Sequence, residues 1–283
     1  MKIQIIIPAH NEEHYLAQTL ESLVSQTLLP QKIIVVNDAS TDNTEAIAKE
    51  YKKQHTFISV LNTQAGSGHL PGSKVINAFY KGFELLSDDV ALICKFDADL
   101  IFPPNYLETV AQLFKENPKT GIASGILHIQ EGNTWGYENI ADKNHVRGPI
   151  KSYRKACFEA IGGLKKSIGW DTVDVLLAQY HGWNIQTDTN LVVKHLKPTG
   201  KTYHKASKYL QGEAMYKMRY GFWITLIAAT KMAVQKKKPR LIIDYIKGYF
   251  LAKKQQMPYL VTEKEGIFIR NLRWKKIRKK IIP

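Results

Sequence analysis

Apolar residues at the start of the chain fall into short unbroken runs, with stretches of helical spacing between them. Ile3–Ile7 is a continuous apolar run stopped by Pro8, the pattern of a strand buried on both faces. Leu16, Leu20, Leu23 and Val24 then recur at helical spacing, between Asn11 and the Leu28-Leu29-Pro30 stop. Ile33–Val36 reads as a second buried strand. Asp42 and Glu45 have the spacing of a capping box and predict a helix running to about Lys53. A third strand is predicted at Phe57–Leu61, followed by a Gly/Ser/Pro-rich stretch up to Gly72. A helix is predicted over about Ser73–Leu86, and a fourth strand at Val90–Phe96 runs into Asp97-Ala98-Asp99. Strands alternating with helices in this way predict an α/β fold with a mostly parallel central sheet, helices covering both faces. Ligands of such sheets bind at the carboxyl ends of the strands. Three of those ends carry polar clusters: Pro8–Glu13, Asn37–Asp42 and Asp97–Asp99.

Charge divides the 283 residues in two. Residues 1–200 hold 19 Lys and Arg against 21 Asp and Glu, whereas residues 201–283 hold 21 against 4, so the net +15 belongs to the last 83 residues. The expected organisation is an α/β domain over 1–200 and a basic amphipathic helical region over 201–283. The only two cysteines, Cys94 and Cys157, exclude a disulfide scaffold and a site of paired thiolates, and fit a reducing compartment. The apolar start breaks too early at Pro8 for a signal peptide, and no apolar window is long enough to span a bilayer.

Pro8-Ala9-His10-Asn11-Glu12, then Val35-Val36-Asn37-Asp38-Ala39-Ser40-Thr41-Asp42, then Asp97-Ala98-Asp99 resemble the ordered signatures of the family 2 glycosyltransferases. Gly162-Gly163, Trp170-Asp171 and Gly182-Trp183 are similar to a further part of that pattern, with Trp170 where the family usually has Glu. The resemblance covers about residues 1–195. It implies a GT-A-type domain that binds a nucleotide-diphosphate sugar and transfers the sugar with inversion.

The residues suit that chemistry, each beside a plainer role. Asp97 and Asp99, flanking one residue at a strand end, can reach a divalent cation that also binds phosphate oxygens, Mn²⁺ or Mg²⁺; a surface loop residue or a helix cap is the alternative. Asp97 also counts among the nucleotide-binding candidates. The resemblance assigns the nucleobase to Asp38, whose alternative is a turn, and the ribose or base to Glu12, with Pro8, Ala9 and Asn11 shaping the pocket. Lys74, opening a helix after the Gly-rich Gly66–Gly72 stretch, is a candidate for phosphate or a solvated helix lysine. Asp171 is the candidate general base, with Asp174 one turn along as reserve; capping the helix is the competing role. His195 follows a predicted strand, Asn190–Lys194, at about the position where some related enzymes place a metal-binding histidine; a structural or surface role is the alternative. Arg147 and Arg154 are basic residues that no pattern places. A nucleotidyltransferase is disfavoured, because the segment after the first strand is acidic and lacks glycine. A catalytically idle nucleotide-sugar-binding protein would have been suggested by loss of Asp97, Asp99 or Asp171, and all three are present.

The last 83 residues interleave apolar segments (221–234, 244–250, 259–269) with basic clusters such as Lys236-Lys237-Lys238 and Arg273–Lys280. This combination predicts binding to an anionic membrane surface, and hence a cytoplasmic, peripheral-membrane enzyme with a glycan or lipid-linked acceptor. No stacking motif or helix-turn-helix pattern supports nucleic acid as the partner.

Overall fold

The computed structural model describes residues 1–64, 73–140, 142–198 and 208–281. The Gly66–Gly72 stretch lies outside the described residues. The chain forms two compact units, the first drawn from Met1–His69, Lys74–Leu164 and His181–Thr199, the second from Lys165–Tyr180 and Gly200–Pro283 with the short Leu70–Ser73 segment.

The first unit contains β1 (Ile3–Ala9), α1 (Leu16–Val24), β2 (Lys32–Asp38), α2 (Thr44–Gln54), β3 (Ile58–Thr63), α3 (Ser73–Phe83), β4 (Leu92–Phe96), β5 (Leu100–Ile101), α4 (Tyr106–Glu116), β6 (Thr120–Glu131), β7 (Thr134–Tyr137), β8 (Ile150–Arg154), α5 (Lys155–Ala160) and β9 (Asn184–His195). Its strands lie in the order β3-β2-β1-β4-β8-β6-β9-β5, with β7 paired to β6. The first four are mutually parallel, as the alternation of elements predicts. Beyond β4 the sheet is mixed: β8 runs antiparallel to both β4 and β6, and β9 returns parallel to β6.

Side-chain alternation gives the sheet two apolar faces. Ile3, Ile5, Ile7, Ile33, Val35, Leu92, Cys94 and Phe96 bury one face against Leu16, Leu20 and Leu23 of α1 and Tyr106, Leu107, Val110 and Phe114 of α4. On the opposite face Ile6 and Val36 meet α3 at Gly82, where a Cβ would lie 2.7 Å from Ile6 and 2.8 Å from Val36. Only a glycine permits that approach. The expected capping box of α2 is not formed. Asn43 occupies the N-cap position, Asp42 accepts from the Thr44 N–H at 3.0 Å, and Glu45 turns away to Lys49 and Asn62.

The second unit is helical, with α6 (Trp170–Tyr180), α7 (Leu210–Lys217), α8 (Phe222–Gln235), α9 (Arg240–Lys254) and α10 (Glu263–Ile281). The division therefore differs from a single boundary at residue 200, because α6 groups with the C-terminal helices. The reason is packing: Tyr180 of α6 meets Phe268 of α10 edge to face, with ring centroids 5.5 Å apart. Helices α7 and α9 cross at paired glycines. A Cβ on Gly212 would lie 1.9 Å from the Tyr245 carbonyl oxygen, and one on Gly248 would lie 2.1 Å from that of Tyr209. Phe222 of α8 packs on Phe250 of α9 at 5.8 Å. No described helix is long and apolar enough to cross a membrane.

Candidate functional site

Strand order reverses beside β1: the chain moves outward through β2 and β3, then returns to place β4 on the other side of β1. The crevice outside the carboxyl ends of β1 and β4 is thus a topological switch point, where open α/β sheets bind ligands. Pairing between these strands ends at Ile6↔Lys95, so the segments beyond, which begin at Ile7 and Phe96, are free to diverge from each other.

The β1 and β2 ends are laced together. Asn11, at φ 55°, takes the left-handed conformation that Asn tolerates better than most side chains. Its N–H donates to Ser40 Oγ at 3.0 Å and its Oδ1 accepts from the Thr41 N–H at 2.8 Å. Glu12 and Glu13 donate backbone N–H groups to Thr44 Oγ1 (2.7 Å) and Asp42 Oδ2 (3.1 Å). Asp42 therefore binds one loop to the other. Asn37, rather than Asp38, makes the turn contact, accepting from the Ser40 N–H at 3.4 Å. Asp38 is half-buried, and its Oδ1 accepts from Thr63 Oγ1 at 2.9 Å.

Glu12, Asp97, Asp99 and His195 gather on the β1–β4 side, with Glu138 against His195. Glu12 pairs with Lys197 at 2.6 Å through Oε1, while Oε2 is buried without a hydrogen-bond partner. Burial, and secondarily the charges of Asp99 and Asp97, push the Glu12 carboxyl above its usual range against the pull of Lys197. Asp97 Oδ1 pairs with the Lys95 ammonium, which is buried within β4 and also donates to the Gly148 carbonyl. Asp99 is buried, its Oδ1 has no hydrogen-bond partner, and its Oδ2 lies 3.6 Å from His195 Nε2. His195 Nδ1 faces Glu138 Oε2 at 3.2 Å. Burial alone would lower the His195 pKa, but the hydrogen bonds and charges of Asp99 and Glu138 overcome it and raise the value to about 9.

Among the described residues no group of three or more His, Cys, Asp or Glu is arranged to hold a metal ion. Asp99 and His195 nonetheless fit a divalent cation as a two-residue set: one carboxylate oxygen is buried without a partner, and an imidazole nitrogen stands beside the other. The remaining ligands would have to be supplied by a bound ligand or by water.

Lys74 is exposed in the first turn of α3. Asp171 and Asp174 belong to α6 of the second unit. Asp171 is half-buried in the first helical turn, whereas Asp174 is fully buried and its Oδ1 accepts from the Val175 N–H at 2.6 Å. Pattern reading missed Lys95, Glu138 and Lys197, and named Arg147 without placing it. Lys95 had a signal, a lone charge inside an apolar strand run; Glu138 and Lys197 had none, since only folding brings them to the site.

The family model of Glycosyl transferase family 2 matches residues 4–164. The poly-beta-1,6-N-acetyl-D-glucosamine synthase of Staphylococcus epidermidis is 28% identical over 166 residues, covering 58% of this chain and 35% of the relative. This chain thus spans about a third of that relative's length. Among solved structures, S. aureus TarS 1–349 in complex with UDP-GlcNAc superposes with a TM-score of 0.59 at 20% identity, over 88% of this chain and 73% of that one. The mannosyltransferase PcManGT from Pyrobaculum calidifontis, in complex with GDP-Man and Mn²⁺, gives 0.60 at 13% identity, over 98% and 80%. At these identities the likeness is one of fold, and that fold is of the GT-A type. With more than half of its length matched by the family model, the chain belongs to glycosyl transferase family 2.

Proposed function

We propose that this chain transfers a sugar from a nucleotide-diphosphate donor to an acceptor hydroxyl, with inversion, in a single displacement. The observation that carries the reading is the acidic crevice at the switch point, where Asp99 keeps a buried carboxylate oxygen without a partner. Asp38, Glu12 and the Pro8–Ala9–Asn11 turn bind the base and ribose, and Asp97 binds the nucleotide from the β4 side. Lys74 contacts phosphate, a role supported by its place at a helix start. Asp99 and His195 hold a divalent cation, Mn²⁺ or Mg²⁺, which when bound offsets the charge on the departing diphosphate. Solved neighbours bound to UDP-GlcNAc, and to GDP-Man with Mn²⁺, support both the donor class and the metal.

Asp171 takes the proton of the acceptor hydroxyl as that oxygen attacks the anomeric carbon from the face opposite the diphosphate, so configuration inverts. Its partial exposure favours it over the buried Asp174. The acceptor is a glycan or lipid-linked glycan in polysaccharide synthesis, supported by the polymer-forming name of the Staphylococcus epidermidis relative. A location at the anionic inner face of a membrane is supported by the second unit, where Trp223, Val234 and Ile243 are 65%, 72% and 67% exposed beside lysines 236–238.

Product analysis by NMR tests the chemistry. The glycoside formed has the anomeric configuration opposite to the donor's, and Asp171→Asn lowers kcat by about 10²–10⁴-fold while leaving donor affinity unchanged. Retention of configuration, or full activity in the variant, would overturn the assignment.

A further inference from the structure

Glu138 and Arg147 come from the segment between β7 and β8, which carries no recognisable motif, yet both are almost completely buried beside His195. Arg147 Nη2 donates to Glu138 Oε2 at 3.0 Å, and Arg147 Nη1 to the Glu138 carbonyl at 3.4 Å. The same Oε2 faces His195 Nδ1 at 3.2 Å. A carboxylate only accepts hydrogen bonds, so Nδ1 must carry the proton in this contact. That leaves Nε2 as the nitrogen facing Asp99. The backbone fixes both partners, because Leu196 N–H donates to the Asp99 carbonyl at 2.9 Å and His195 pairs with Leu100 across β9 and β5.

We propose that Glu138, held by Arg147, is a positioning residue that fixes the Nδ1–H form of His195 and turns Nε2 toward Asp99 to receive a divalent cation. The proposal rests on the metal reading above and extends it to two residues outside the family's motifs. Stability alone is a weak reason for such a chain, since a buried ionic network often gains nothing over apolar residues of the same volume. Orientation of a ligand histidine gives a reason: carboxylates behind such histidines are worth about 10–100-fold in metal affinity.

The test is Mn²⁺ titration followed by electron paramagnetic resonance, with the protein holding the nucleoside diphosphate that it binds best. Glu138→Gln preserves size and is expected to weaken Mn²⁺ binding by about 10-fold or more. Affinity for the diphosphate measured without metal stays at the wild-type value. Arg147→Gln, which loosens Glu138 from behind, is expected to shift Mn²⁺ affinity in the same direction by less, and serves if Glu138→Gln does not fold. Wild-type Mn²⁺ affinity in the variants, even with a lowered melting temperature, would make the network purely structural and overturn the proposal. Wild-type protein that binds the diphosphate but no Mn²⁺ would overturn the metal reading itself, and this proposal with it.

Discussion

Glu12 and Asp99 each keep one buried carboxylate oxygen without a hydrogen-bond partner, a costly arrangement that folding alone does not call for. A buried oxygen of this kind is one that a cation or an ordered water can satisfy. His195 shows the same tension in its ionisation, because burial disfavours its charge and two carboxylates restore it. Its folded pKa of about 9 lies above the ordinary 6.5. Its stabilising contribution is therefore complete below about pH 6.5 and is lost as pH rises through about 9. Metal-free wild-type protein is expected to lose stability across that window, and His195→Gln to flatten the loss. Urea midpoints measured from pH 6 to 10 check it; parallel profiles would contradict the pairing. At this scale the sequence showed the acidic residues, because they follow strands in recognisable order. It did not show Glu138 or Lys197, which reach His195 and Glu12 across separations of 57 and 185 residues.

Among the elements, the helix crossing of α7 and α9 depends on two glycines. Intrinsic helix propensity favours Gly→Ala by about 1 kcal/mol. Here each new Cβ would lie about 2 Å from a carbonyl oxygen of the facing segment, which no side-chain adjustment relieves. The steric cost wins, and Gly212→Ala or Gly248→Ala is expected to destabilise the second unit by more than about 2 kcal/mol. Chemical denaturation followed by circular dichroism measures it, and a stabilised variant would contradict the crossing. Alternating apolar runs and helical spacing were sufficient to find β1 to β4 and α1 to α3, because a buried parallel sheet writes its strands as continuous apolar stretches. In the mixed half of the sheet patterning found only the Asn190–Lys194 part of β9, since β6 and β9 each run 12 residues through positions of varied burial and two register shifts. The α2 cap misled for a local reason: Asp42 serves the Glu13 and Thr44 N–H groups, so Asp42 and Glu45 do not cap each other.

Over the whole molecule, the charge division and the structural division do not coincide. Helix α6 carries two aspartates and no basic residue and is largely buried, so its sequence reads as part of the first domain, yet it groups with the basic helices. The grouping decides how membrane binding is best tested. Deleting residues 236–283 would remove α9 and α10 from the unit that contains α6, so substitution is the cleaner probe. Lys236→Glu with Lys237→Glu, and separately Trp223→Ser with Ile243→Ser, are expected to release the protein from phosphatidylglycerol vesicles at low salt. Sedimentation with vesicles reads the bound fraction, which should also fall with added salt for wild type. Wild-type protein that ignores such vesicles would remove the membrane from the account.

The central claim is a metal-assisted nucleotide-sugar site at the switch point of the first unit. Calorimetric titration of a panel of nucleoside diphosphates, with and without Mn²⁺, against wild type and Asp99→Ala tests it most directly. The account predicts that one diphosphate binds wild type in a Mn²⁺-dependent manner and that Asp99→Ala abolishes the dependence. Equally tight binding with and without metal, unchanged in Asp99→Ala, would contradict it.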